Sequence, residues 1–369
     1  MSDKTSIEWT DATWNPIVGC SVVSPGCTNC YAMRQAARIE LMDLGRRAKR
    51  GDNLAVGGTS YAGLTQPSKS GPVWTGKVAL ASDETLTQPL RWKRGRRIFV
   101  NSMGDLFHES VPDEWIDRVF AAMALAPQHT FQVLTKRTKR MRSYLTESRS
   151  MMSWAIQAQA LKRAQFSVFS VRDVGVWRRS GLPNVHLGVS AEDQPRADER
   201  IPELLATPGA VRFVSGEPLL GEINFESVLN PASGNHLDVL HRSTLHGPNY
   251  GERPRLDWII VGGESGKGAR PMHPDWARSI RDQCAAAGVP FFFKQWGEWA
   301  PGENVERGGT LDVAYNLYAD DDWSFGRLSE RESEQTHIDN EPTVYRVGKA
   351  RACRRLDGVE HNAFPEPRR

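Results

Sequence analysis

Residues 257–266 read DWIIVGGESG, in which a continuous apolar run, Trp258–Val261, ends in two glycines and an acid. The same order recurs three more times. Ile98–Val100 leads into Asn101-Ser102-Met103-Gly104-Asp105, Val185–Val189 into Ser190-Ala191-Glu192-Asp193, and Val211–Val214 into Ser215-Gly216-Glu217-Pro218. Runs that are β-branched or aromatic, and do not alternate with polar residues, describe strands buried on both faces of a parallel sheet. Small residues at a strand end let a ligand approach the backbone, and the acid gives it something to bind. Gly, Ser and acids also make ordinary βα turns and helix caps, so the weight lies in the fourfold repetition.

Three further runs, Val78–Leu80, Phe131–Leu134 and Phe291–Phe293, extend the set to seven. Helices fit between them. Pro112-Asp113-Glu114-Trp115 opens one, with Ile116, Val119, Phe120 and Met123 at helical spacing. Asp275–Ala285 forms another, with Gly288 as its stop. Repeated strand–helix–strand units predict an α/β fold. An open doubly wound sheet concentrates function at one switch point, whereas a barrel brings every strand end to one mouth. Four decorated ends favour a partial parallel (β/α) barrel.

The chain has 369 residues, 39% of them hydrophobic, enough for a large core. No apolar run is long enough to span a membrane, and the first residues lack a signal-peptide pattern, so a soluble, cytoplasmic protein is expected. The barrel is expected over 1–300, with insertions near 41–76, 143–180 and 230–255. A polar extension, partly disordered, is expected over 301–369. The net charge of +3 says little, but Arg91–Arg97 and Lys136–Arg142 are dense basic runs. Such runs are either solvated faces or tracks for phosphates of a nucleotide or nucleic acid.

Residues 19–31, GCSVVSPGCTNCY, hold Cys20, Cys27 and Cys30, three of only five cysteines. An odd count in a large cytosolic chain argues against a disulfide framework. Cys27 and Cys30 have chelate spacing behind a Pro25-Gly26 turn. Structural zinc wants a fourth ligand, which could come from Cys284, Cys353 or one of the histidines, though neither cysteine has a partner at chelating spacing. Three cysteines alone also fit a [4Fe–4S] cluster with one open iron. A Cys-x-x-Cys redox pair leaves Cys20 unexplained. His236, His241 and His246 repeat every five residues, which does not stack them on one helix face, so they read as loop histidines.

The N-terminal block TSIEWTDATWNP (5–16), followed by Gly19-Cys20 and Ser24–Ala32, resembles a phage and prophage family of three-Cys-motif proteins. SMGDLFHE, LTKR, GVSAED, SGEPLLG, GGESG and KQWGEW extend the resemblance over roughly residues 5–300. That family is similar in outline to radical S-adenosylmethionine (SAM) enzymes. Here the first cysteine gap is six residues and Asn29 precedes the third cysteine, which departs from the usual loop of those enzymes.

The resemblance implies an enzyme with a [4Fe–4S] cluster held by Cys20, Cys27 and Cys30, and SAM on the open iron. One-electron reduction by an electron donor would give a 5′-deoxyadenosyl radical that abstracts a substrate hydrogen. It further implies that Met103-Gly104-Asp105 binds SAM, with Asp105 on the ammonium. Ser190 and Glu192 would meet ribose or methionine atoms, and Gly262-Gly263-Glu264 adenine or ribose. A three-Cys-motif partner protein is also implied. From the residues themselves, Glu217 is a candidate acid/base or substrate ligand, and Lys294, closing Phe291-Phe292-Phe293, a charge facing the mouth or a surface residue. A metal-binding module holding zinc and contacting nucleic acid or protein is the competing reading.

Overall fold

A computed structural model describes residues 5–52, 58–147, 181–241, 254–306, 308–318, 322–334 and 341–366, with Ser153, Trp154, Gln157, Trp177 and Ser180. Its main sheet is parallel and has seven strands: Ala12–Trp14, Arg97–Val100, Thr130–Thr135, Val185–Ser190, Val211–Gly216, Trp258–Gly262 and Phe291–Gln295. They lie side by side in chain order. A doubly wound sheet reverses its order at a switch point. This one does not, so the order is that of a partial barrel.

Burial explains why these segments are strands. All six residues of Val211–Gly216 and all five of Trp258–Gly262 are buried. The parallel register sets Ile98 opposite both Ala12 and Phe131, and Ile259 opposite both Val214 and Phe291. The helix expected after Pro112 spans Asp113–Ala124 and buries Ile116, Val119, Phe120 and Met123. The helix expected over 275–285 spans Pro274–Ala287, with His273 capping its start and Gly288 its end.

One expected strand falls elsewhere. Ala79–Leu80 pairs antiparallel with Ile17–Val18 in a separate two-stranded sheet. The main sheet begins instead with Ala12–Trp14, from the TSIEWTDATWNP block. Within 41–76, a helix ends at Arg50 and Thr65–Ser68 pairs with Gly71–Trp74. Most of 143–180, together with 242–253 and therefore His246, lies outside the described residues.

The chain divides into two compact units. One runs to Gly188 and includes Ala206–Val211; the other takes Val189–Leu205 and the chain from Arg212. In the first, Phe120 stacks on Trp154, with ring centroids 4.5 Å apart, and Tyr144 bridges Asp117 and Trp154 by hydrogen bonds. In the second, the polar tail adds a four-stranded antiparallel sheet in the order Trp299–Ala300, Val344–Arg346, Leu311–Tyr315, Ser324–Leu328. The chain then returns along the edge strand Phe291–Gln295. The Phe293 amide donates to the His361 carbonyl at 3.0 Å, and Asn362 pairs with Phe292. An edge strand left open would invite pairing with another chain, and this return covers it. Among the described residues, no helix is long and apolar enough to cross a membrane.

Candidate functional site

In the first unit the cysteine loop leaves Ile17–Val18 and runs against the Met103-Gly104-Asp105 turn. The Gly19 amide donates to the Met103 carbonyl at 3.0 Å, and Gly19 forms a bridge with Gly104. Gly19 has φ 96°, and a Cβ there would strike the Lys77 carbonyl. A Cβ on Gly104 would sit 2.9 Å from the Gly19 carbonyl oxygen. Both glycines therefore answer to close backbone packing. Asn15 locks the same turn, its Oδ1 accepting from the Met103 amide at 2.9 Å and Ser102 Oγ at 3.2 Å. Two motifs distant in sequence, the cysteine loop and SMGD, are thus stitched together.

Within the loop, Pro25–Cys27 makes a single 3-10 turn, and the Cys30 amide donates to the Cys27 carbonyl at 3.3 Å. Cys30 begins the twenty-residue helix Tyr31–Arg50. Cys27 is buried, while Cys20 and Cys30 are half-buried. Cys20, Cys30 and Met103 pack with Val18, Ala32, Met33 and Trp74. Burial pushes the Cys30 thiol up, against the pull of the Ala32 and Met33 amides and of Lys136. Those amides do not close a capping hydrogen bond to the sulfur.

Arg137, from LTKR, is the hub of this site. Its side chain is 5% exposed. Nη1 donates to Cys20 Sγ and to Asp105 Oδ2, both at 3.2 Å. Nη2 donates to the Ser21 carbonyl at 3.2 Å and to Ser21 Oγ at 2.7 Å. Nε donates to Glu109 Oε2 at 3.4 Å. Burial disfavours the guanidinium charge, but Asp105, Cys20 and Glu109 outweigh it and hold its pKa above the ordinary arginine value. Burial also pushes the Cys20 thiol up to about 12, aided by Asp105 and opposed by Arg137.

His108 completes the cluster. Its Nδ1 accepts from the Ser110 amide at 3.1 Å, which leaves Nε2–H to donate to Ser21 Oγ at 3.0 Å. Burial, then Arg137, pushes its pKa down.

Asp105 is the acid expected to meet a SAM ammonium. Its Oδ1 accepts from the Phe107 amide at 3.0 Å and Thr135 Oγ1 at 2.7 Å. Its Oδ2 accepts from the Lys136 amide at 3.1 Å and from Arg137. Four protein donors use the two oxygens.

The second unit holds the other three strand ends. Glu192 is fully buried and pairs at 2.9 Å with Arg200, itself 2% exposed. Ser190 is buried, and its carbonyl accepts from the same guanidinium. Glu264 holds the Arg270 side chain at 2.6 and 3.0 Å and also the Arg270 amide. A Cβ on Gly263 would collide with the Trp296 carbonyl, so that glycine serves chain packing. Glu217 differs. It pairs with Lys294 Nζ at 2.7 Å, with side chains 14% and 19% exposed, and its Oε2 accepts from Ser215 Oγ at 3.0 Å. A Cβ on Gly262 would lie 3.1 Å from Glu217 Oε1. His236 and His241 are taken up by Ser227 and Asp238.

The expected cofactors can be set against these residues. Among the described residues no three Cys, His, Asp or Glu side chains are gathered as a metal site. The donor chemistry nonetheless suits an anionic cluster: three thiols in one loop, Arg137 on Cys20 and Lys136 acting on Cys30. The acids assigned to SAM do not suit it, because Asp105, Glu192 and Glu264 are already held by protein donors. Ser21, His108 and Glu109 carried no predicted role, and Arg137, read as part of a solvated face or phosphate track, is instead buried on Cys20, Asp105 and Ser21. Arg137 lay inside a basic run that shows charge but not which member is buried. Of that run, Arg140 pairs with Asp113, while Lys139 and Arg142 are exposed.

The fold and the site define a class: an α/β protein with a chain-ordered parallel sheet and a cysteine loop that follows Ile17–Val18 and packs on the Met103-Gly104-Asp105 turn. Within that class the chain belongs to the family described as a protein of unknown function, DUF5131, whose model matches residues 4–365. No curated protein and no solved structure matches the chain.

Proposed function

We propose that this protein is an iron–sulfur enzyme of the radical SAM-like kind, holding a [4Fe–4S] cluster through Cys20, Cys27 and Cys30. The observation that supports it is the joining of the three-cysteine loop to Met103-Gly104-Asp105, with the Arg137 guanidinium on the Cys20 sulfur. When bound, the cluster supplies one-electron transfer. The chain's own residues shield and orient the ligands: Met103, Ala32 and Met33 exclude water beside Cys20 and Cys30, and Asp105 and Ser21 fix Arg137. Use of SAM rests on the resemblance, and no step is derived through it.

Glu217 and Lys294 are the partly exposed acid and base among the strand ends. In this reading they bind substrate, with Glu217 Oε1 and Lys294 Nζ held 2.7 Å apart and Glu217 as the acid/base. A nucleotide or nucleic-acid substrate is supported by exposed Lys93, Arg94, Lys139 and Arg142.

The test is purification without air, followed by iron, sulfide and zinc quantification and a visible spectrum. About four irons per chain with matching sulfide and a broad brown absorption are expected. One zinc and no colour would sink the cluster and leave the zinc-module reading. A loaded, reduced sample that forms no 5′-deoxyadenosine from SAM would remove SAM alone.

A further inference from the structure

The guanidinium of Arg137 has five N–H donors, and all five are used: one on sulfur, two on Ser21, and one each on Asp105 and Glu109. An arginine recruited only to neutralise Asp105 would take the carboxylate with two parallel bonds. Arg137 gives Asp105 a single nitrogen, and that same Nη1 reaches Cys20 Sγ. Its other terminal nitrogen grips the next residue by both carbonyl and hydroxyl. The side chain is thus directed at the Cys20-Ser21 segment, and Asp105 is directed at the side chain. Thr135 Oγ1 and the Phe107 and Lys136 amides hold Asp105, so the arginine starts from a rigid base.

An N–H···S bond to a neutral thiol is weak. The same bond to a thiolate is charge-assisted, and hydrogen bonds to cluster sulfurs, together with nearby net charge, set reduction potentials. We infer that Arg137 is a positioning residue that fixes the Cys20 sulfur and biases the cluster toward its reduced state, and that the negative charge of Asp105, on the same guanidinium nitrogen, offsets that bias. This rests on the cluster reading above. It goes further by assigning the LTKR motif and the Asp105 carboxylate to control of the cluster instead of to SAM.

The test is a potentiometric titration of anaerobically loaded wild type, Arg137→Met, Arg137→Lys and Asp105→Asn. Removing the cation lowers the equilibrium constant for taking up an electron by about tenfold, the scale of a hydrogen bond to a charged group. Arg137→Met is therefore expected to titrate at a more negative potential. Asp105→Asn is expected to move the opposite way, and Arg137→Lys to stay nearer wild type than Arg137→Met. A merely structural clamp would give shifts of one sign, or none, in Arg137→Met and Asp105→Asn, and either result overturns the inference.

Should Arg137→Met fail to fold, wild-type protein labelled with ¹⁵N-arginine decides. Electron–nuclear double resonance of the reduced cluster is expected to show an arginine nitrogen coupling, and its absence overturns the inference. Wild type lacking iron and sulfide sinks the cluster reading, and this inference with it. Loaded wild type whose potential Arg137→Met and Asp105→Asn leave unmoved sinks this inference alone.

Discussion

The acid-tipped strand ends of the two units share one sequence pattern and reach different outcomes. In the first unit, Asp105 is tied down by three neutral donors and then holds Arg137 against a cysteine loop. In the second, the buried carboxylates of Glu192 and Glu264 close on arginines of their own following segments, whereas the Glu217 carboxylate, paired with Lys294, keeps part of its own surface open. A small-residue-plus-acid ending therefore marks a place where the chain needs a buried charge. What the charge does depends on the cation that reaches it.

The largest expected effect separates the units most sharply. Cys20→Ala, Cys27→Ala and Cys30→Ala together should abolish iron and sulfide in the anaerobic protein while leaving the far-ultraviolet circular dichroism spectrum unchanged. Iron retained in the triple variant would move the metal away from this loop.

Glu192→Ala should do the converse. It strands a buried guanidinium and should cost about 3–5 kcal/mol in denaturant unfolding. A loss below about 1 kcal/mol would show that the pair is not closed in solution. By contrast, Lys294→Met should cost only about 1 kcal/mol, because its pair is partly solvated. Under the proposed reading its larger effect is on substrate binding. A stability loss as large as that of Glu192→Ala would make the pair a structural one.

The smallest effect concerns Asp11, whose side chain Arg97 holds at 2.9 Å. Hydrogen bonding from Arg97 keeps its pKa below the ordinary carboxylate value, against the effect of burial. A depressed carboxylate contributes stability above the unfolded pKa of about 3.9, and that contribution is lost as pH falls through the folded value. Asp11→Asn should therefore lower stability slightly at pH 6 and match wild type at pH 2. A difference that grows toward pH 2 would contradict the assignment.

Much of the sheet was legible because its strands are buried on both faces and written in continuous apolar residues, as in Trp258–Val261. Ala12–Trp14 was not, since three residues with a polar centre carry too little pattern. Val78–Leu80 carried the pattern but serves a two-residue pairing with Ile17–Val18, which a short apolar run cannot distinguish from a core strand. Of the candidate site, the cysteines stood out by spacing. Arg137 did not, because its burial depends on Asp105 and Ser21, more than thirty and one hundred residues away. The pairs Glu192–Arg200 and Glu264–Arg270 were hidden for the same reason: a sequence displays charges but not which of them meet.

The most direct measurement is the ⁵⁷Fe Mössbauer spectrum of the wild-type chain purified without air. The expected spectrum is that of a diamagnetic [4Fe–4S] cluster, lost in the Cys20, Cys27 and Cys30 triple variant. Isolated high-spin iron alone, or no iron at all, would contradict the assignment of the three-cysteine loop as a cluster site.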